Sequence, residues 1–153
     1  MLIQEVNMPS ILVPVDGSDN SLRAVDEARR QIGDRSQGTV HLLNVQAPNH
    51  SAVVKKFLSQ EFIDEFYRVE GEAALKGASA GLDEAGVAYA SHVEVGDVAQ
   101  TIARCVKDLH CDQIIMGTRG LGSGGIAAVS GLLLGSIATK VLHLTDVPVT
   151  LVK

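Results

Sequence analysis

Tryptophan is absent from this 153-residue chain, and only three phenylalanines and two tyrosines supply aromatic rings. The core must therefore be aliphatic, built from Val, Ile, Leu and Ala, which suits strands buried on both faces and covered by helices. Cysteine is scarce as well. Cys105 and Cys111 match neither a redox CxxC pair nor a zinc set, and they read as small buried hydrophobes. A chain of this length buries about 70% of its unfolded surface, so it needs no disulfide or metal staple. Positive charge is in deficit. A formal net charge of -5 and the lack of a basic stripe argue against a nucleic-acid protein, but leave room for one local phosphate site. Long apolar runs are missing, and the longest, near Ile126 to Leu134, contains Ser130 and Gly131, so no membrane span is expected. Met1 to Val6 is short and mixed, unlike a signal segment, and a cytoplasmic protein is expected. Neither a repeat nor a low-complexity tail is visible, which predicts one domain over 1–153.

What is present is an alternation of short apolar runs and amphipathic segments. Ser10 to Val15, Thr39 to Val45, Val87 to Val95, Asp112 to Met116 and Val147 to Val152 read as five strands. The first helix follows Ser18 or Asp19 as cap, carries Leu22, Val25, Ala28 and Ile32 on one stripe, and stops at Gly33. A long helical segment spans about Ala52 to Ala85. Its stripe of Phe62, Phe66, Val69 and Ala73 reads as core, with Gly71, Gly77 and Gly81 as points of weakness and Gly86 as the end. Asp97 caps the next helix, with Gln100 at the capping-box position and Val98, Ile102, Cys105, Val106 and Leu109 on its inner face. A short helix begins near Gly135-Ser136. The order β-α-β-α-β-α-β-α-β predicts a parallel sheet with helices on both faces.

In such a sheet, ligands bind beyond the carboxyl ends of the strands, where the strand order reverses. That rule selects Asp16-Gly17-Ser18 after the first strand, Val45 after the second, and Met116-Gly117-Thr118-Arg119-Gly120 after the fourth. Gly135-Ser136 sets a glycine and a hydroxyl at a helix start, where backbone NH groups and the helix dipole favour an anion. Asp16 reads either as an acceptor for an adenine amino group or ribose hydroxyl, or as a cap or turn residue.

Several other chemistries are excluded. Walker A is absent, since no Gly-Lys-Ser/Thr occurs. Gly120, Gly122 and Gly125 form a GxGxxG match, but several residues past the fourth strand and not directly after the first. The five histidines show no metal-ligand spacing, and Gly122-Ser123-Gly124 is only a fragment of a nucleophile elbow. No catalytic set emerges.

ILVPVDGS, LLNV, GDVAQTI, IIMGTRG, LLLGSIATKVL and DVPVTLVK, taken together, resemble the universal stress protein family across nearly the whole chain. The resemblance implies a Rossmann-like three-layer α/β sandwich, of the adenine nucleotide alpha hydrolase type, with a five-stranded parallel sheet in the order 3-2-1-4-5. It implies ATP, with or without magnesium, across the strand ends. Carried over by position, Pro14, Asp16 and the backbone of Val45 would surround adenine and ribose, and Met116 and Gly117 would close over the nucleoside. Gly120, Gly135, Ser136 and the backbone of Ile137 would meet the phosphates. The spacing departs from the family pattern of nine residues. Fourteen separate Gly120 from Gly135, so a five-residue insertion is placed about Leu121 to Gly125, and Gly125 is an alternative phosphate contact. The resemblance also implies a homodimer through the Val147–Val152 edge strand. Expected functions are thus an ATP-binding stress or signalling module, a dimeric interaction protein of the same fold without nucleotide, or a slow ATPase using Arg119 and Ser136.

Overall fold

In the computed structural model, residues 8–33, 37–48, 52–119 and 134–153 are described. Strand β1, Ser10–Pro14, lies at the centre of a sheet because Ile11, Leu12 and Val13 are wholly buried on both of its faces. Strands β2 (Thr39–Gln46), β3 (Tyr89–Val95), β4 (Gln113–Gly117) and β5 (Val149–Val152) complete it. All pairings are parallel and the order is β3-β2-β1-β4-β5. The strand order reverses at β1, which pairs with β2 on one side and β4 on the other.

Period-two alternation divides the core into two layers. Ile11, Val13, Val40, Leu42 and Ile115 pack with α1 (Asp19–Gly33) and α3 (Gln60–Ala85) on one face. Leu12, Leu43, Ile114 and Met116 pack with α4 (Val98–Asp108) and α5 (Ser136–Leu144) on the other. Helices on both faces give the three-layer sandwich. Cys105 and Cys111 are free thiols buried in the second layer, and burial pushes both thiols up from their ordinary pKa.

The helix starts follow the capping rules. Ser18 Oγ accepts from Ser21 N at 3.2 Å, so Ser18 caps α1 and Asp19 sits in its first turn. Asp97 accepts from Gln100 N at 3.0 Å and caps α4. The inner face of α1 is Ser21, Ala24, Val25, Ala28 and Ile32, and Leu22 is only partly buried against it.

The segment expected as one helix from Ala52 is two. A short α2, Ala52–Phe57, ends before Ser59, whose Oγ accepts from Phe62 N at 3.2 Å and starts α3 afresh. A side-chain cap rewards a new helix start, which explains the break. The stripe assigned to the core also proves wrong. Phe62, Phe66 and Val69 are 57%, 53% and 49% exposed, and Ala73 is exposed too. The buried face is Ile63, Tyr67, Gly71, Leu75, Ala78 and Leu82. At 3.6 residues per turn these two stripes lie on nearly opposite sides of α3. The second one wins because Gly71 lets the helix settle on β3: a Cβ there would collide with Val93 Cγ1. Gly71, Gly77 and Gly81 all lie inside the helix, which ends at Gly86 in the left-handed conformation.

Candidate functional site

The reversal at β1 opens a cleft beyond the strand ends, and the ends of β1, β2 and β4 meet the starts of α4 and α5 there around a cavity of about 480 Å³. From the end of β1 come Pro14, Val15 and Asp16, followed by Ser21 on the first turn of α1. Asp16 Oδ1 accepts from Ser18 N at 2.9 Å. This closes an Asx turn that swings the chain from strand into helix. Asp16 is therefore a turn residue and a wall of the cleft at once.

From β2 come Leu43 and Val45, which share a face by strand alternation. Their neighbour Asn44 is buried and donates from Nδ2 to Val15 O at 2.8 Å, while Val15 N donates to Leu43 O at 2.8 Å. Gln46 Nε2 donates to Asn44 Oδ1 at 2.6 Å. The exits of β1 and β2 are thus fixed to each other. Among the described residues no buried side-chain nitrogen or oxygen lacks a hydrogen bond.

From β4 come Met116, Gly117, Thr118 and Arg119. This exit is tied on two sides. Thr118 N donates to Val152 O at 2.9 Å, and Gly135 N donates to Thr118 O at 2.7 Å. Asn20 Oδ1 accepts from Arg119 N at 2.9 Å, and Asn20 Nδ2 donates to Val152 O at 2.9 Å. The last side is the start of α5, where Leu134, Gly135, Ser136, Ile137 and Ala138 face the cavity. Gly135 is the N-cap and makes no side-chain cap bond. The first NH groups of α5 are left to other acceptors, and the positive end of its dipole points at the cleft.

Leu43, Val45, Val98, Ile102 and Met116 make the walls apolar, with Asp16 and Arg119 as the ionisable groups of the lining. A flat apolar ring fits such walls, a hydroxyl or amino donor fits Asp16, and an anion fits the α5 start. Among the described residues no group of three or more His, Cys, Asp and Glu side chains could hold a metal ion.

Of the residues selected from the sequence, Pro14, Asp16, Val45, Met116, Gly117, Gly135, Ser136 and Ile137 all line this one cavity. Gly120, Gly125 and the insertion at Leu121 to Gly125 lie outside the described residues. Sequence reading assigned Val98 and Ile102 to the inner face of a helix, and they also wall the cleft. Leu43 was missed, although its place two residues before Val45 on one strand was a signal for it. Thr118 and Arg119, selected with the loop after the fourth strand, line the cleft too, whereas Leu134, Ala138 and Ser21 were not singled out as site residues.

The family model described as the universal stress protein family matches residues 8–153. The universal stress protein MJ0531 of Methanocaldococcus jannaschii is 31% identical over 94% of this chain and 81% of its own length. The universal stress protein YxiE of Bacillus subtilis is 29% identical over 94% of this chain and 97% of its own. Among solved structures, the universal stress protein UspA from Lactobacillus plantarum superposes with a TM-score of 0.75 at 22% identity, covering 95% of this chain and 98% of that one. A universal stress protein in complex with cAMP superposes at 0.70, with 24% identity and coverage of 95% and 97%. A family protein from Arabidopsis thaliana with AMP bound superposes at 0.65, with 19% identity and coverage of 95% and 91%.

Proposed function

The chain belongs to the universal stress protein family, and from that premise we propose that it is a single-domain module that binds an adenine nucleotide across the carboxyl ends of β1, β2 and β4. The observation that carries this reading is convergence. Residues as far apart in sequence as Pro14 and Ile137 wall one cavity whose size suits a small-molecule ligand. Related proteins of the same fold bind cAMP and AMP.

In this reading the purine lies between the apolar walls, with Pro14, Asp16 and the Val45 backbone around base and ribose. Met116 and Gly117 close over the nucleoside. The phosphates meet Gly135, Ser136 and the Ile137 NH group, where an uncapped helix start offers donors and the positive end of the dipole. Gly120 or Gly125 completes the phosphate contacts. The nucleotide is ATP, with or without magnesium, and the protein acts as a cytoplasmic stress or signalling homodimer joined through β5.

Mass spectrometry of small molecules released from the purified, denatured protein should show an adenine nucleotide. Titration with ATP, ADP, AMP and cAMP then ranks them. Nucleotide at about a hundred times its dissociation constant adds about 2.7 kcal/mol. For a chain of this size the melting temperature should rise by about 5 to 10 °C. Asp16→Ala and Gly135→Val should abolish the rise, the second because a side chain there crowds Thr118 O, 3.0 Å from an added Cβ. No copurified nucleotide and no melting shift with any of the four would overturn the reading in favour of a dimeric interaction protein.

A further inference from the structure

The solvent face of α3 carries an apolar row that the nucleotide cleft does not use. Phe62, Phe66, Val69 and Ala73 recur at intervals of four, three and four, the spacing of a helix–helix seam. All four are exposed, and so are Phe57 at the end of α2 and Leu58 in the break before α3, at 77% and 40%. The large side chains expose on the order of 500 Å² together, given that a phenylalanine offers about 200 Å². An apolar area of that size, spread over α3 and the end of α2, is at the upper end of what a monomer leaves uncovered.

The row is asymmetric in a way that defines its complement. Its amino-terminal half is bulky (Phe62, Phe66) and its carboxy-terminal half is small (Val69, Ala73). Beside the small half runs a shallow groove of about 450 Å³, lined by Val69, Glu72, Ala73, Leu75, Lys76 and Ser79 among others. Knobs stand at one end and a hollow at the other. An antiparallel second copy, with its axis between Phe66 and Val69, sets each Phe66 against Val69 and each Phe62 against Ala73 at the hollow. A parallel copy would stack ring on ring at one end and leave a gap at the other.

The charges agree with the same arrangement. Lys76 of each copy reaches the end of the seam where Glu61 of the other stands. Glu65 and Glu72, which would otherwise face their own kind, are each held by Arg68 of their own helix at 2.6 Å. The flank of Glu61, Glu65 and Glu72 on one side of the row, and Glu70 on the other, disfavour an anionic lipid surface. Doubled across a two-fold axis, the apolar area reaches about 1,000 Å², close to the lower bound of a specific interface before any polar rim is counted.

We propose that the outward seam of α3 is a contact between two antiparallel copies of this chain. It is separate from the β5 edge, because α3 packs on β2 and β3, at the opposite end of the sheet. The contact therefore adds an assembly step to whatever pairing β5 makes.

Sedimentation velocity on the full chain over a wide concentration range tests it. Phe62→Glu/Phe66→Glu should reduce the largest assembled mass to that of the β5 pair, or to the monomer where β5 does not pair, with the helical circular dichroism unchanged because both sites point away from the core. Ala73→Arg, at the hollow, should do the same. Lys76→Glu and Glu61→Lys should each weaken association, and the two combined should restore it. If the β5 pairing fails but this contact holds, the wild type is a dimer and Phe62→Glu/Phe66→Glu a monomer. Equal masses for the wild type and both seam variants, at whatever size, would overturn the proposal. So would flotation of the wild type with phosphatidylserine vesicles that Phe62→Glu/Phe66→Glu abolishes, since that would give the face to a membrane.

Discussion

The carboxamide of Asn20 accepts from Arg119 N and donates to Val152 O, each at 2.9 Å. It stands on the first turn of α1 and holds the exit of β4 against the end of β5. Asn20→Ala removes both bonds at once and should lower stability by about 1–2 kcal/mol. Differential scanning calorimetry should record the loss. Because Arg119 lines the cleft, the same variant should also weaken adenine nucleotide binding by about tenfold, a cost of about 1.4 kcal/mol. A variant that lost stability but bound as before would separate the clamp from the site. Gly71 makes a sharper case for packing. Alanine raises helix propensity by about 1 kcal/mol over glycine. A Cβ at this position collides with Val93, however, and overpacking costs about 1–3 kcal/mol. Gly71→Ala should therefore destabilise on balance, and Val93→Ala should reverse the sign in the double variant, which urea unfolding can read. At this scale the sequence disclosed the chemistry-bearing residues well. Asp16, Met116, Gly117 and Gly135 stand directly after strands or before a helix, and the strand-end rule points to them. It did not disclose Asn20, because nothing in Ser18-Asp19-Asn20 says that a side chain there will meet a chain segment some hundred residues on.

Elements were legible where one pattern dominated. β1 and β4 are short apolar runs and β2 is mostly apolar, and their observed bounds fall within about a residue of those read from sequence. α3 was not legible, because it carries two apolar stripes and periodicity cannot say which one meets the sheet. Two phenylalanines made the wrong stripe the louder. The right one, Ile63 to Leu82, was marked by Gly71, which reads as a helix breaker in sequence and acts as a contact point in the fold. Adjacent strands also create a pair that sequence alone could not show. His41 on β2 and His92 on β3 meet at 3.0 Å, Nδ1 to Nε2, with their rings stacked. Burial lowers the His41 pKa from the usual histidine value, and the neighbouring His92 lowers it further. On the same face of β3, Glu94 is held by Arg104 of α4 at 3.0 Å. A lowered pKa means that the unfolded chain takes up this proton first. Stability is therefore full above about pH 6.5, the unfolded value, and declines as the pH falls through the folded value. Melting curves from pH 7.5 to about 5 should show a wild-type decline that His41→Gln lessens.

The two edges of the sheet differ in how they meet water. β3 ends the sheet with Ser91 and Glu94 among its residues and α3 packed on it, whereas β5 is Val-Thr-Leu-Val and only partly buried. An apolar edge without charge invites a further strand. Its hydrogen-bond phase says which groups are on offer. Pro148 O accepts from Ile114 N and Val152 O from Thr118 N, so the peptide groups of alternate residues, Pro148, Thr150 and Val152, turn toward β4. Those of Val149 and Leu151 turn outward. A proline is tolerated in a strand where its missing NH faced solvent. Leu151→Pro should thus spare the β4–β5 ladder and remove one outward donor from the edge. If β5 joins two copies as proposed, this variant should weaken the dimer at least about tenfold, the loss of about 1.4 kcal/mol. The variant's circular dichroism should match the parent's. The measurement belongs in the Phe62→Glu/Phe66→Glu background, so that the outward seam of α3 cannot mask the result. A monomer in that background even without Leu151→Pro, or a dimer that Leu151→Pro leaves equally tight, would mean that β5 does not join the copies. The hydrogen bonds from Arg119 through Asn20 to Val152 would then tie the cleft to an edge strand and carry no signal from ligand to assembly.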